Sequence, residues 1–418
     1  MDSMLSPSAA HREAWRCLQC WDAPCTSACP VHIPIPEFLA RLRTGDKTGA
    51  EEILRTANPL ISSCGEICPD ELYCSRACVL KDVEGSIRVR ELHRYVTEYT
   101  CIPWPRWDPW RSERIAVIGS GPAGISCARE LARHGYPVHI FERDPAPGGI
   151  LRYYLAIDRF PVRLLDKDLS FLQGCGITWN TNHSVTSLKS LMDSYDAVFY
   201  APGRYVDIHP DIPDASNLIT SGMEFLRSFR TAQGTDVTGK DIIVIGGGNV
   251  SLDVAVTAAG AGAASVVLIY RRGPVEMPVW ERERGYAEER GVRINYCTIP
   301  TGFLMEDDRI AGLRCRPVRL VDNGEDRLKP VEIDGYDYIL PADLVITAIG
   351  MDAERNEDVD LKWKDKRYLP VDEIMETAKH TIFAGGDLVS SEGTVVAAAS
   401  HGKRAAAAIH RMFREDRS

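Results

Sequence analysis

A short apolar run, a glycine-rich turn and a helical stretch follow one another twice in this chain, and nothing else restricts its fold as strongly. Ile115-Ala-Val-Ile118 leads into Gly119-Ser120-Gly121-Pro122-Ala123-Gly124, with helical spacing over 125–133 and a second strand pattern over 138–142. Asp241-Ile-Ile-Val-Ile leads into Gly246-Gly247-Gly248-Asn249-Val250-Ser251, with a helix expected through 253–261 and a strand over 266–270. In such a unit the first glycine makes the turn and the second lets the backbone approach a pyrophosphate. The third packs helix on strand, and the phosphate rests on the helix N-terminus. Two units predict an α/β fold with two nested, Rossmann-like nucleotide domains. Strand patterns at 343–350 and 381–387 and an Ala-rich helix over 394–413 extend it. The expected boundaries are 111–235 with 345–418 for the first domain and 236–344 for the second, leaving 1–110 for a helical domain.

The two second strands end differently. Glu142 closes the first, placed to accept a hydrogen bond from a ribose. Pro147-Gly148-Gly149 follows it, where backbone can lie against a cofactor. Gly385-Gly386-Asp387 precedes the last helix, which starts near Thr394. An aspartate there can bind a ribityl chain, and the helix N-terminus favours the negative charge of a reduced isoalloxazine. Alone, Gly-Gly-Asp is equally a turn; with the first glycine motif it predicts FAD. The second strand ends Tyr270-Arg271-Arg272, with no acid. Paired guanidiniums match a 2′-phosphate, which favours NADPH over NADH; the alternative is a surface arginine pair without a ligand. Cys297 and Cys315 stand far apart in the second domain, so disulfide exchange is not expected.

Of thirteen cysteines, eight fall between Cys17 and Cys78. They run Cys17-x2-Cys20-x4-Cys25-x3-Cys29-Pro, then Cys64-x3-Cys68-Pro-x4-Cys74-x3-Cys78. In two-cluster ferredoxins the last cysteine of such a run ligates the other cluster. On that logic Cys17, Cys20 and Cys25 begin one [4Fe–4S] cluster and Cys29 crosses to a second, with Cys78 crossing back. Zinc is the competing metal, although the second half lacks the paired Cys-x2-Cys of zinc sites. The remaining alternative is free thiols. Prolines punctuate this region, so short helices and turns are expected. Between it and the first strand lies a run from Cys101 to Trp110 with three prolines and three tryptophans, read as an extended linker docked by its rings.

A formal net charge of −10 gives no general attraction to nucleic acid or anionic membrane. No run of 18 apolar residues occurs, and the start carries neither the basic nor the apolar region of a secretory signal. With so many thiols, a reducing cytoplasm is the expected compartment.

The cysteine module, both glycine motifs and Tyr270-Arg271-Arg272-x3-Glu276-Met277-Pro278 together resemble the glutamate synthase small-subunit family of NADPH/FAD/iron–sulfur oxidoreductases. That family includes the electron-input subunit of bacterial dihydropyrimidine dehydrogenase. The resemblance spans about 16–412. It implies a helical domain with two [4Fe–4S] clusters, then FAD and NADPH domains of disulfide-reductase type. It implies Cys17, Cys20, Cys25 and Cys78 for one cluster, and Cys29, Cys68 and Cys74 for the other. The position of that cluster's non-cysteine fourth ligand holds His93, with Cys64 the competitor. For FAD the resemblance implies Ser120 through Gly124, Glu142, Gly149, Ile150, Arg159, Val185, Gly386, Asp387 and the Thr394 helix start. For NADPH it implies Gly247, Gly248, Asn249, Val250, Arg271, Arg272 and the turn Ala348-Ile349-Gly350. Leu155-Ala156-Ile157 departs from the family's Gly-Ile-Pro before Arg159.

The expected function is electron input: NADPH to FAD, FAD to two clusters, clusters to a separate catalytic subunit. Hydride transfer to a flavin demands no acid or base, and no pocket for an organic acceptor is legible. The alternatives are a freestanding NADPH:acceptor oxidoreductase, ferredoxin- or sulfide-linked, and a non-enzymatic cluster-bearing scaffold or redox sensor.

Overall fold

The computed structural model describes residues 4–99, 107–212, 218–324, 327–356, 358–363 and 367–415. They divide into two compact units. The larger holds 2–152, 160–204 and 353–418; the smaller holds Tyr153–Arg159 and Tyr205–Asp352.

In the larger unit the cysteine-rich region is helical. Helices Pro7–Trp15, Pro24–Ala28, Ile35–Arg43, Lys47–Ala57, Ile61–Ile67 and Val89–Tyr99 follow in order, with no strand among the described residues up to Tyr99. Proline stands in the first turn of three of them, where its missing N–H costs nothing. Ile35, Phe38, Leu39 and Leu42 recur at helical spacing on one face and are buried.

The same unit contains a five-stranded parallel sheet ordered Ile382–Ala384, Ala197–Tyr200, Ile115–Ile118, Val138–Phe141, Ile177–Asn180. The central strand is buried at every position, which is why its sequence is continuously apolar. Helix Pro122–Arg133 leaves its end and packs against the long helix Val395–Glu415. Of the Pro/Trp linker, residues 101–106 lie outside the described region. Trp110 docks as expected: its indole covers Gly135, where a Cβ would come 2.1 Å from Nε1, and Arg111 lies 4.3 Å over that ring.

The smaller unit has a second five-stranded parallel sheet, ordered Ile219–Ser221, Leu344–Ala348, Asp241–Gly246, Ser265–Ile269, Arg293–Asn295. Helix Asn249–Gly260 follows its central strand. This sheet therefore begins at Ile219, earlier than the expected domain start at 236. A long antiparallel hairpin, Thr298–Glu306 with Arg309–Val321, carries Lys329–Glu332 and Tyr338–Pro341 as further partners of its second strand. In both parallel sheets the glycine-turn strand is central, so each turn opens at a topological switch point, where such folds bind ligands.

Candidate functional sites

At the first turn, Gly119 takes φ +88°, and a Cβ there would lie 2.3 Å from Ala201 O. A Cβ on Gly124 would come 1.9 Å from Gly119 O, so helix and strand touch through backbone alone. Gly121 faces open space and is the N-cap of Pro122–Arg133, with no side chain capping the first N–H groups. An uncapped N-terminus over open space is what a pyrophosphate needs. Ser120 N–H and Oγ–H donate to Glu142 Oε2 at 2.9 and 2.5 Å, and Asp144 N–H donates to Oε1 at 2.8 Å. Gly148 N–H donates to Ser120 Oγ at 3.1 Å. Glu142 thus ties the turn to the Pro147-Gly148-Gly149 loop, whose two glycines both take positive φ.

Gly386 takes φ +71°, and its would-be Cβ lies 3.3 Å from that of Ala123, which brings the Gly-Gly-Asp turn onto the first helix turn. Burial pushes the Asp387 carboxyl up, and the Arg204 guanidinium acts against that. Thr394 Oγ1 accepts from Ala397 N–H at 3.2 Å, capping Val395–Glu415, and meets the Tyr73 hydroxyl at 2.9 Å. Ile150 starts the short helix Ile150–Tyr153, and Val185 packs against the buried cluster around Phe141 and Leu188. Arg159 belongs to the smaller unit, where Nη1 donates to Asp253 Oδ2 at 2.6 Å and Nε lies 2.9 Å from Glu283 Oε2.

At the second turn, a Cβ on Gly246 would come 2.5 Å from Ala348 O, and one on Gly247 would strike the Tyr270 ring at 2.1 Å. Gly248 faces open space and is the uncapped N-cap of Asn249–Gly260. Val250 sits in the first turn, and the buried Asn249 Oδ1 has no hydrogen-bond donor. That orphan acceptor suits a nucleotide hydroxyl. Gly350 takes φ +131° beside exposed Ile349, with Ala348 ending its strand.

Arg271 is exposed, and among the described residues no carboxylate pairs with it or with Arg272. Arg272 Nε donates to Leu328 O at 2.9 Å, which brings the start of Lys329–Glu332 alongside. Burial lowers the Arg271 pKa, with Arg272 and then Arg327 adding to it. Arg327 is therefore a third guanidinium at this corner. Nothing near it in the sequence pointed to it; only the strand pairing does.

The cysteines form two adjoining groups. Cys17, Cys20, Cys25, Cys74 and Cys78 line one cavity together with apolar side chains. The Cys25 thiol is pushed up to about 11, first by burial and then by the charges of Cys17 and Cys78. Cys68 is raised well above the ordinary thiol value by burial and by Cys64, Cys74, Asp70 and Cys29 around it. Among the described residues no three His, Cys, Asp or Glu side chains converge tightly enough for a single metal ion. Five thiols lining one cavity are the donor chemistry an iron–sulfur cluster uses.

His93, on Val89–Tyr99, is fully buried; its ring lies 5.4 Å from that of Phe38, and Nε2 has no partner. Burial holds its pKa down at about 4, so the imidazole is neutral. Cys64 Sγ accepts from Asn58 Nδ2 at 3.2 Å.

Two family models match the chain: pyridine nucleotide-disulphide oxidoreductase over residues 113–402, and dihydropyrimidine dehydrogenase domain II, 4Fe-4S cluster, over residues 1–102. The NAD-dependent dihydropyrimidine dehydrogenase subunit PreT homolog of Salmonella typhi is 30% identical over 98% of this chain and 96% of its own length. The glutamate synthase [NADPH] small chain of Escherichia coli is 29% identical over 97% of this chain and 91% of its own. The NADP(+)-dependent formate dehydrogenase subunit beta of Moorella thermoacetica is 31% identical over 94% of this chain but 60% of its own. Several such relatives are longer, and the chain spans 60 to 68% of them. Among solved structures, Mycobacterium tuberculosis FprA in complex with NADPH aligns with 73% of this chain and 86% of its own, at TM-score 0.63 and 18% identity, a likeness of fold.

Proposed function

The chain belongs to the pyridine nucleotide-disulphide oxidoreductases and carries an N-terminal 4Fe-4S domain of dihydropyrimidine dehydrogenase type, and from that premise we propose that it is an electron-input subunit. It is an NAD(P)H-dependent flavoprotein oxidoreductase, whose cofactors are FAD, NADPH and iron–sulfur clusters. In the proposed route NADPH binds at the second glycine turn and FAD at the first. Two [4Fe–4S] clusters then lead to a partner catalytic subunit.

One observation carries this reading. The cysteine domain and the first glycine turn share one compact unit, joined through the helix Val395–Glu415. A flavin on that turn would lie beside the thiols. FAD supplies the step from a hydride pair to single electrons, which the clusters carry one at a time. The chain's own residues hold and insulate: Gly121 and Gly248 leave room for phosphates, Glu142 fixes the loop of Gly148 and Gly149, and the arginines meet the 2′-phosphate. Cys17, Cys20, Cys25 and Cys78 hold one cluster; Cys29, Cys68, Cys74 and His93 hold the other. The buried, unpartnered Nε2 supports His93 as the fourth ligand, with Cys64 the competitor.

Exposed Leu18 and Val79 line the first thiol cavity, exposed Trp21 follows Cys20 in the chain, and together they supply an apolar rim for the partner. No helix among the described residues is long and apolar enough to cross a membrane, and the reading places the protein in the reducing cytoplasm.

The test is anaerobic purification with metal and flavin analysis. FAD with about eight irons per chain is expected for two four-iron clusters, and zinc in place of iron would overturn the cluster reading. Low-temperature electron paramagnetic resonance then decides the fourth ligand. His93→Ala should alter the second cluster's signal, whereas an effect of Cys64→Ser with His93→Ala silent would give the site to Cys64.

A further inference from the structure

The helix Val395–Glu415 touches the first nucleotide turn on one side and the cysteine domain on the other. A Cβ on Gly402 would come 2.2 Å from Ala123 O, so this helix lies against the backbone that opens the flavin-side helix. From the next residue, the Lys403 ammonium reaches into the cysteine domain. Its Nζ donates to Val31 O at 2.9 Å and to Ala57 O at 2.8 Å. Val31 lies two residues beyond Cys29. Ala57 ends Lys47–Ala57, and the following residue, Asn58, holds Cys64. One ammonium therefore clasps both backbone segments that present thiols to the second group.

Both hydrogen-bond partners of this ammonium are neutral carbonyls. The carboxylate that bears on it is Glu130, which is itself paired with Arg129 and Arg133. Burial pushes the Cys29 thiol up; the backbone N–H groups of Ile33, Val31 and His32, and after them the charge of Lys403, act against that. A positive charge with carbonyl partners, part-buried beside a thiol destined for a cluster, has an electrostatic consequence beyond holding two segments together.

We propose that Lys403 is a positioning residue that raises the reduction potential of the cluster held by Cys29, Cys68 and Cys74, and so draws electrons from the flavin side toward it. The inference rests on the cluster reading above. One electron entering that cluster adds one negative charge; its source is the flavin that NADPH has reduced, which loses that electron. An ammonium fixed beside Cys29, where water is scarce, stabilises the added charge by direct attraction. Local charge and hydrogen bonding are among the levers that set such potentials.

The experiment is a redox titration of the full-length, anaerobically purified protein, followed by low-temperature electron paramagnetic resonance. Loss of a signal in Cys68→Ser identifies the second cluster. Lys403→Met should shift the midpoint of that signal downward and leave the first cluster's in place, and Lys403→Arg should restore it. Lys403→Gln removes the charge and keeps a donor, so it reads the same quantity where Lys403→Met fails to fold. Unchanged midpoints in either neutral variant, with both signals present, would show the lysine to be a clasp only. Absence of cluster signals from the unsubstituted protein would overturn the cluster reading, and this inference with it.

Discussion

The two glycine turns share a motif but not a tightness. In the first, Gly124 leaves no room for a Cβ against Gly119 O, so helix and strand meet backbone to backbone. In the second, Ser251 stands at the matching place, buried, with Oγ donating to Gly248 O at 2.6 Å. The strand that follows each turn diverges too. Glu142 accepts from Ser120 in the first turn, whereas Arg271 and Arg272 follow the second with no carboxylate partner among the described residues. On the proposed reading the shared fingerprint seats a dinucleotide, while its neighbours select which one and how firmly.

The largest expected effect breaks the second turn's side of this contrast. Arg271→Ala with Arg272→Ala removes two phosphate contacts worth roughly 1.5–3 kcal/mol each. The Michaelis constant for NADPH should rise by at least two orders of magnitude, with NADH use nearly unchanged in steady-state assays. An unaltered NADPH constant would mean the pair faces only solvent.

Next comes transplanting one turn into the other. Gly124→Ser forces a side chain against Gly119 O, and such overpacking costs about 1–3 kcal/mol. FAD content and melting temperature should both fall. A variant that keeps its flavin and its melting point would show that the close approach is not needed.

The reverse change should be mild. Ser251→Gly puts glycine in a helix, a cost of roughly 0.5–1 kcal/mol, and loses one hydrogen bond worth about 0.5–1.5 kcal/mol. Denaturant unfolding should register that loss with NADPH affinity preserved. Equal damage from Gly124→Ser and Ser251→Gly would erase the asymmetry between the turns.

The smallest effect sharpens the picture of the 2′-phosphate corner. Arg327 is solvent-exposed, and exposed pairs contribute roughly 0.2–1 kcal/mol. Arg327→Ala should raise the NADPH constant a few-fold and leave NADH alone. Binding of adenosine 2′-phosphate by calorimetry checks this, and undiminished affinity would remove Arg327 from the site.

Much of the architecture was legible because it is written in short-range chemistry. Ile115–Ile118 is apolar throughout, and Asp241–Gly246 is apolar after its first residue, since a central parallel strand is buried on both faces, and the glycines that follow mark the turns. Helix starts were less legible. The helix expected from 125 begins at Pro122, and that expected through 253–261 runs Asn249–Gly260, because both start within the glycine turn itself. The sequence by itself determined the strand–turn–helix order, the spacing of the thiols and the arginine pair, all set by residues adjacent in the chain. Only the tertiary structure decided that Arg327 joins that pair, that Arg159 lies with Asp253 and Glu283, and that Lys403 reaches Val31 and Ala57. Those contacts cross between strands and helices far apart in sequence. They depend on how elements pack, and no local pattern of residue types encodes that.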